Sequence, residues 1–589
     1  MMHPIFIRAR RQRVPLLVIA TLCGVNAIAP ALVRGQSYAL PALGSPAHPK
    51  VAFSIDRYYD NDGVGEIGRK MQAAHPQCLH LSSIGKSYQG RDLWLYTVTD
   101  FTTGNPDRKS GMYIDGNIHA SEIQGTEVSM YTAWYLCEMA GHLPAVDTLL
   151  KEHVFYIVPS INPDGREYFL KQPNNSGSPR TGLAPRDDDN DGLVDEDGPD
   201  DLDGDGNITQ MRRKNTLGKW KVSPDDPRVM IPVKPGERGE YDLLGDEGFD
   251  NDGDGLVDED GPGYYDPNRN WPWHWQPRYI EGGSDYFPGS LPETRAVMAF
   301  ICAHPNIAGA QSYHTDGGMI LRGPGDPQDE YRPEDVKQYD AIGKVGEQIL
   351  PSYRYLTVWK DLYIMYGGEL DWLYGARGIL TFSNELWTPF DYFSHEPQTI
   401  DGESVELRFD RLLLLGEAFV PWTHVKHPQY GDIEVGGLKK QYDRAVPGFL
   451  LPAEAHRNMA FTLFQASQLG QVRIDTVYTK ALPGGLIAVT AVVSNPKLLA
   501  TRSQQDVEHR ITRPDWISLE SATVLSGFIV SDPIQEVLVE QKRNPARIDV
   551  PTIPGHESVM VRWIVKGSGT VTVAVDSFKG GIVRRAVRL

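Results

Sequence analysis

A histidine and a glutamate stand three residues apart in the string GNIHASEIQG, as His119 and Glu122. An imidazole nitrogen and a carboxylate oxygen both suit zinc, and a catalytic zinc takes three protein ligands and keeps one position for water. By itself the pair also describes a surface histidine beside a helix-capping glutamate. A third donor is available in His314, within GAQSYHTDGG. Alone, that residue reads as an ordinary core histidine.

A second chemistry is written in two acidic inserts, 187–205 and 246–260. Asp187, Asp189 and Asp191 alternate before Gly192. Asp201, Asp203 and Asp205 do the same before Gly206, and Asp250, Asp252 and Asp254 before Gly255. Alternating carboxylates followed by a glycine turn can wrap oxygen ligands around a hard cation such as calcium. The twelfth position of each loop is Gly198, Arg212 or Gly261, not the bidentate glutamate of a helix-loop-helix site. Further ligands must come from elsewhere, from Asp195 and Asp258 or from the partner loop. The bland alternative is a solvated acidic loop. Neither insert holds a lysine or arginine, and so much like charge is costly to pack without cations. Two or three structural calcium ions are expected.

The elements that must position these groups follow from periodicity. Met112–Ile114 reads as a strand, Glu122–Met139 as a helix, and Val154–Val158 as a buried strand ending at the turn Asn162–Gly165. Both His119 and His314 follow an apolar strand. The alternation runs from about Pro49 to His424 and predicts an α/β domain with helices covering a buried sheet. The inserts interrupt it with nearly the same string twice, DNDGLVDEDGP from Asp189 and DGDGLVDEDGP from Asp252. From Gln471 onwards period-two strings predict a small antiparallel β-sandwich without catalytic residues.

Net charge is -19, which excludes nucleic acid as a natural partner. The chain opens with Arg8, Arg10, Arg11 and Arg13, followed by an apolar run from Val14 to Val33. That is the pattern of an export signal over residues 1–36. An uncleaved anchor is the alternative, but Gly24, Asn26 and Pro30 suit a cleaved signal better. The expected location is secreted or periplasmic, with no stable membrane insertion after cleavage. Cys78, Cys137 and Cys302 remain, too few for a disulfide framework, and read as buried free thiols.

Nine strings taken in order resemble the zinc carboxypeptidase A/B family: IGKSYQGRDLWLYTV, HASE, NPDG, MRRKN, DPNRNW, LPETRA, SYHTDG, YIMYGGELDW and TFSNEL, over residues 50–425. The resemblance implies an α/β fold with a mixed central sheet flanked by helices. It implies one zinc on His119, Glu122 and His314, and Glu385 as the general base. Arg213 matches the arginine beside the scissile carbonyl, although Arg212 is an alternative. Asn268 and Arg269 match the pair that grips the substrate's terminal carboxylate. Tyr363 matches the mobile tyrosine that closes over it. Leu370 falls at the floor of the specificity pocket, implying apolar C-terminal residues unless Glu369 turns inward. The implied substrate is the C-terminus of peptides or proteins. Cell-wall stem peptides, and an inactive calcium-binding adhesion protein, are the competing readings. The expected organisation is a signal at 1–36, a catalytic domain at 37–425, a helical connector at 426–470 and the sandwich at 471–589.

Overall fold

The computed structural model describes residues 42–175, 180–187, 191–224, 226–263, 265–388, 399–400, 403–442 and 444–589. The expected export signal, and Asp189 of the first insert, lie outside the described residues. Residues His48–Leu589 form the larger compact unit.

Within the larger unit, eight strands make the central sheet. They are β1 (Leu79–Lys86), β2 (Asp92–Val98), β3 (Ser110–Gly116), β4 (His153–Val158), β5 (Ile307–Thr315), β6 (Met319–Arg322), β7 (Arg354–Thr357) and β8 (Leu380–Leu386), in the spatial order β1-β2-β4-β3-β5-β8-β6-β7. β4, β3, β5 and β8 run parallel, β1 and β2 pair antiparallel with their neighbours, and β6 is antiparallel to β8 but parallel to β7. The sheet is therefore mixed. Its centre is buried on both faces, which explains why its strands read as apolar runs.

Alternate residues feed two cores. Met112, Ile114, Phe155 and Ile157 face one, beneath the helices Asn61–Ala74, Gln124–Met139, Pro333–Ile349 and Leu451–Ser467. Tyr113, Val154, Tyr156 and Val158 face the other, beneath Pro292–Ala303 and Glu369–Gly375. The turn expected at Asn162–Gly165 opens a helix, Pro163–Lys171. Asn162 Oδ1 accepts the Gly165 N–H at 3.0 Å, and Pro163 occupies the first turn, where no N–H is needed.

The stretch 426–470 differs from a plain helical connector. It holds the strand Gly431–Leu438, which joins Gln210–Lys214 in a six-stranded antiparallel sheet beside the inserts. Its helix, Leu451–Ser467, is part of the catalytic core. Asn458 Oδ1 accepts from Asn384 on β8 at 2.8 Å, and Tyr353 donates to Glu454 at 3.0 Å.

Residues 473–588 form five- and four-stranded antiparallel sheets enclosing one aliphatic core around Trp563. This is the expected sandwich. A buried ion pair, Lys579–Asp506 at 2.9 Å, seats it on the α/β part, since Lys579 Nζ also donates to the carbonyls of Arg377 and Gly378. Cys78 and Cys137 are buried, but Cys302 is exposed, contrary to expectation, because it lies on the outer side of the helix Pro292–Ala303.

Candidate metal centre and substrate groups

Three parallel strands deliver the candidate residues to one edge of the sheet. Strand register pairs Gly116 with Tyr313 across β3 and β5, and His314 with Glu385 across β5 and β8. Carboxyl ends of adjacent parallel strands are where open α/β sheets bind ligands. The turn after β3 is held locally. Asn117 adopts φ 57°, a left-handed conformation that asparagine tolerates. Its Nδ2 donates to the carbonyls of His119 (2.7 Å) and Ala120 (3.1 Å). The buried Arg166 donates to Asn117 Oδ1 at 3.3 Å and to the Ile123 carbonyl at 2.7 Å. A Cβ on Gly116 would lie 2.6 Å from the Gly125 carbonyl carbon, so only glycine lets the following helix approach the strand end this closely.

His119, Glu122 and His314 converge there, each no more than 4 % exposed. Glu122 Oε1 lies 2.9 Å from His119 Nδ1, Glu122 Oε2 lies 3.0 Å from His314 Nδ1, and the two Nδ1 atoms are 3.3 Å apart. Nitrogens about 2.0–2.1 Å from a common zinc can be no more than about 4.2 Å apart, so these donors fit one ion. The other nitrogen of His119, Nε2, lies 3.0 Å from Asp266 Oδ1. A carboxylate there favours the tautomer protonated at Nε2, which leaves Nδ1 with its lone pair for a metal, and Arg180 Nη2 lies 2.9 Å from the same Nε2. The donor set is thus two imidazoles and a carboxylate, with a further carboxylate orienting one ring.

Charge is distributed consistently with this. Burial opposes ionisation of Glu122, yet His119 and then His314 hold it well below the usual carboxylate range. Burial likewise opposes Asp266, and His119, Arg269 and Arg180 hold it well below that range. Glu385 behaves oppositely. Burial first, and the charge of Glu122 second, push it up to about 7 in the absence of a cation.

The arginine that reaches this cluster is Arg180, not Arg213. Arg180 lies 3.3 Å from Glu122 Oε1 and 3.5 Å from Asp266 Oδ2, and its carbonyl accepts the Ala120 N–H at 3.3 Å. Arg213 sits on the strand Gln210–Lys214 of the six-stranded sheet, 40 % exposed and 3.7 Å from Asp242. Arg212 of the same strand packs between Tyr241 and Trp422 and pairs with Glu434. A second guanidinium, Arg444, lies 3.8 Å from Glu122 Oε1 and donates to the Thr315 carbonyl at 2.9 Å.

Asn268 and Arg269 lie in a short 3-10 turn capped by Asp266. Asn268 Oδ1 accepts the Glu369 N–H at 2.9 Å. Arg269 is buried, 3.6 Å from Asp266 and 3.3 Å from Glu281, with its guanidinium carbon 6.0 Å from the centre of the Tyr363 ring. Tyr363 itself is exposed. Leu370 packs into an apolar cluster with Leu321, Val358 and Met365. Its neighbour Glu369 does turn inward. Ser312 Oγ donates to Asp115 at 2.7 Å and lies 3.4 Å from Glu369, and burial pushes both carboxyls up.

In the inserts, Asp250, Asp252 and Asp254 bring one oxygen each within 4.8 Å of one another, as do Asp201, Asp203 and Glu247. Glu247 was not anticipated. Asp205 and Asp187 instead sit in loop hydrogen bonds, to Asn207 N (2.7 Å) and Gly192 N (3.2 Å). Asp191 joins Glu196 and Asp252, across the two inserts.

Residues 66–205 and 250–407, just over half of the chain, match the family described as zinc carboxypeptidase. Residues 471–588 match a family described only as a domain of unknown function. Similar proteins include a zinc carboxypeptidase of Saccharothrix mutabilis subsp. capreolus, 35 % identical over 97 residues, which are 16 % of this chain and 21 % of that one. Carboxypeptidase M of Mus musculus is 32 % identical over 127 residues, 21 % of this chain and 28 % of its own. The matched segment thus spans less than a third of either relative. The solved structure of thrombin activatable fibrinolysis inhibitor is similar at 16 % identity and a TM-score of 0.45, over 71 % of this chain and 76 % of that one.

Proposed function

This chain belongs to the zinc carboxypeptidase family, and we propose that it is an exported enzyme that hydrolyses the C-terminal peptide bond of peptides or proteins. One observation carries the reading: the two Nδ1 atoms and the Glu122 carboxylate converge in a buried cluster, while Glu385, a carboxylate outside that donor set, is placed beside His314 by strand register. Export rests on the basic start and the apolar run Val14–Val33.

His119, Glu122 and His314 hold the zinc, and Asp266 orients His119. Zinc supplies Lewis acidity, lowering the pKa of water towards ~7 and polarising a carbonyl. Glu385 takes a proton from water in the site and returns it to the leaving amine. Arg180 faces the negative charge that develops on the carbonyl oxygen, in a site where burial strengthens the interaction. Arg269 presents a planar fork, and Asn268 an amide, to the substrate's terminal carboxylate. Tyr363, exposed beside Arg269, covers the bound residue. Residues 471–589 take no part in the chemistry.

The test is metal analysis together with Glu385→Gln. The amide keeps the shape but cannot accept a proton. The variant should hold one zinc per chain, as the wild type does, and lose at least about a hundredfold in kcat. Near-normal kcat would remove Glu385 from the mechanism, and a wild type without tight zinc would remove the centre.

A further inference from the structure

We propose that the two acidic inserts share a site for a hard divalent cation, calcium by preference, built on Asp197, Asp252 and Glu259, with Asp191 and Glu196 forming a second set around the same Asp252. The nearly identical strings lie antiparallel, joined by a bridge between Asp197 and Asp260, the same position in each repeat. This crossing brings one oxygen each of Asp197, Asp252 and Glu259 within 4.8 Å of one another, and likewise Asp191, Glu196 and Asp252. Oxygens about 2.4 Å from a common calcium can be no more than about 4.8 Å apart. The spacing is that of ligands around one ion, drawn from both inserts.

Exposed carboxylates cluster in many proteins without binding anything, so exposure and burial decide the matter. Asp197 has no solvent-accessible surface. Its Oδ1 accepts only a long N–H from Asn251, at 3.3 Å, and its Oδ2 has no hydrogen-bond donor at all. Both carboxylate oxygens of Glu196, and Oε2 of Glu259, are also buried without a donor. A buried carboxylate oxygen needs a donor or a cation. Neither insert has a lysine or arginine to supply one. Without a cation the group must hold protons instead. Calcium is the divalent ion that best accepts many carboxylate and carbonyl oxygens in an irregular shell, whereas magnesium demands an octahedron and keeps its waters.

The place of this site gives it a consequence, which rests on the carboxypeptidase reading. Asp195 Oδ1 accepts N–H groups from Arg186 and Gly263, both at 3.1 Å, and so ties the chain leaving Arg180 to the chain entering Asp266. A cavity of about 380 Å³ is lined by Arg180 and Asp266 together with Asp258 and Gly261 of the second insert's end. A cation across the inserts fixes the two segments that supply the cluster with its arginine and its orienting carboxylate.

The experiment titrates calcium, and separately magnesium, into the full-length zinc-loaded protein after treatment with a calcium-selective chelator. Zinc content is verified by metal analysis, and binding is read by calorimetry and by the thermal unfolding midpoint. Calcium should bind, raise the midpoint, and bind at least tenfold more tightly than magnesium. Asp197→Asn and Asp252→Asn should each weaken calcium at least tenfold with zinc content unchanged. Glu259→Gln, which leaves the Asp250, Asp252 and Asp254 set intact, should weaken calcium likewise and remains informative if the buried Asp197→Asn does not fold. No calcium binding at millimolar concentration would overturn the proposal. So would wild-type calcium affinity in Asp252→Asn, which would move any site to Asp201, Asp203 and Glu247. Because binding is the readout, an inactive enzyme that still binds calcium would count against the catalytic reading alone.

Discussion

Replacing Asp266 by asparagine tests whether the orienting carboxylate matters to the centre. Asp266 Oδ1 sits 3.0 Å from His119 Nε2 and also accepts the Asn268 N–H at 2.7 Å. Asparagine preserves both acceptor roles and the volume, so the short turn should survive. What is lost is the charge. A hydrogen bond to a charged group contributes about 1.5–3 kcal/mol and a neutral one about 0.5–1.5 kcal/mol, a difference of about 1–1.5 kcal/mol. At 1.36 kcal/mol per decade, that is about a five- to thirteenfold loss of zinc affinity, at the lower edge of the 10–100-fold typical for partners of ligating histidines. Asp266 also lies 3.5 Å from Arg180 and 3.6 Å from Arg269, both of which lose a counter-charge. Arg269 then attracts the substrate carboxylate no less strongly than before. The expected pattern is weaker zinc, lower kcat and a KM that does not rise. Competition with a chromogenic chelator gives the zinc Kd, and steady-state kinetics at saturating zinc gives the rest. A zinc Kd within twofold of the wild type would refute the argument that Asp266 sets the His119 tautomer.

Arg180→Met should lower kcat/KM by about 10²–10³, as removal of an oxyanion donor does, whereas Arg213→Ala should stay within about twofold because an exposed ion pair is worth little; equal losses would restore Arg213 to the site. His153 is buried with both ring nitrogens lacking hydrogen-bond partners, and burial lowers its pKa to about 4 from 6.5. The unfolded chain therefore binds a proton that the folded one refuses between pH 6.5 and 4, so stability falls as pH drops through that window, by about 3 kcal/mol in all. Urea unfolding of His153→Phe should show a shallower loss between pH 7 and 5 than the wild type, and an identical slope would contradict this. Blocked dipeptides ending in Leu or Phe should be cleaved faster than those ending in Arg, given the apolar cluster around Leu370. Faster release of Arg would make the buried Glu369–Asp115 pair the selector.

Local sequence carried much of this protein. Short apolar runs marked β3 and β4 because a strand covered on both faces has no polar side, period-two alternation marked the sandwich strands, and the three-residue spacing of His119 and Glu122 marked the start of the centre because a single turn decides where both point. Motif order carried His314 and Glu385, whose adjacency is a matter of strand register. The DPNRNW string was legible too, but the task of Asp266 was not, since its partner His119 lies 147 positions away. Arg180 had no pattern to betray it, following a Gly- and Ser-rich segment, while Arg213 sat in a string of the right composition on a strand that folds into another sheet. Alternating carboxylates in each acidic loop suggested calcium, and the missing twelfth-position glutamate pointed to ligands from Asp195 and Asp258 or the partner loop without saying which residues would meet. Only the tertiary structure lays one insert across the other and strands Asp197 without a donor, since burial and cross-chain pairing belong to the packing of distant segments and not to any stretch of residues.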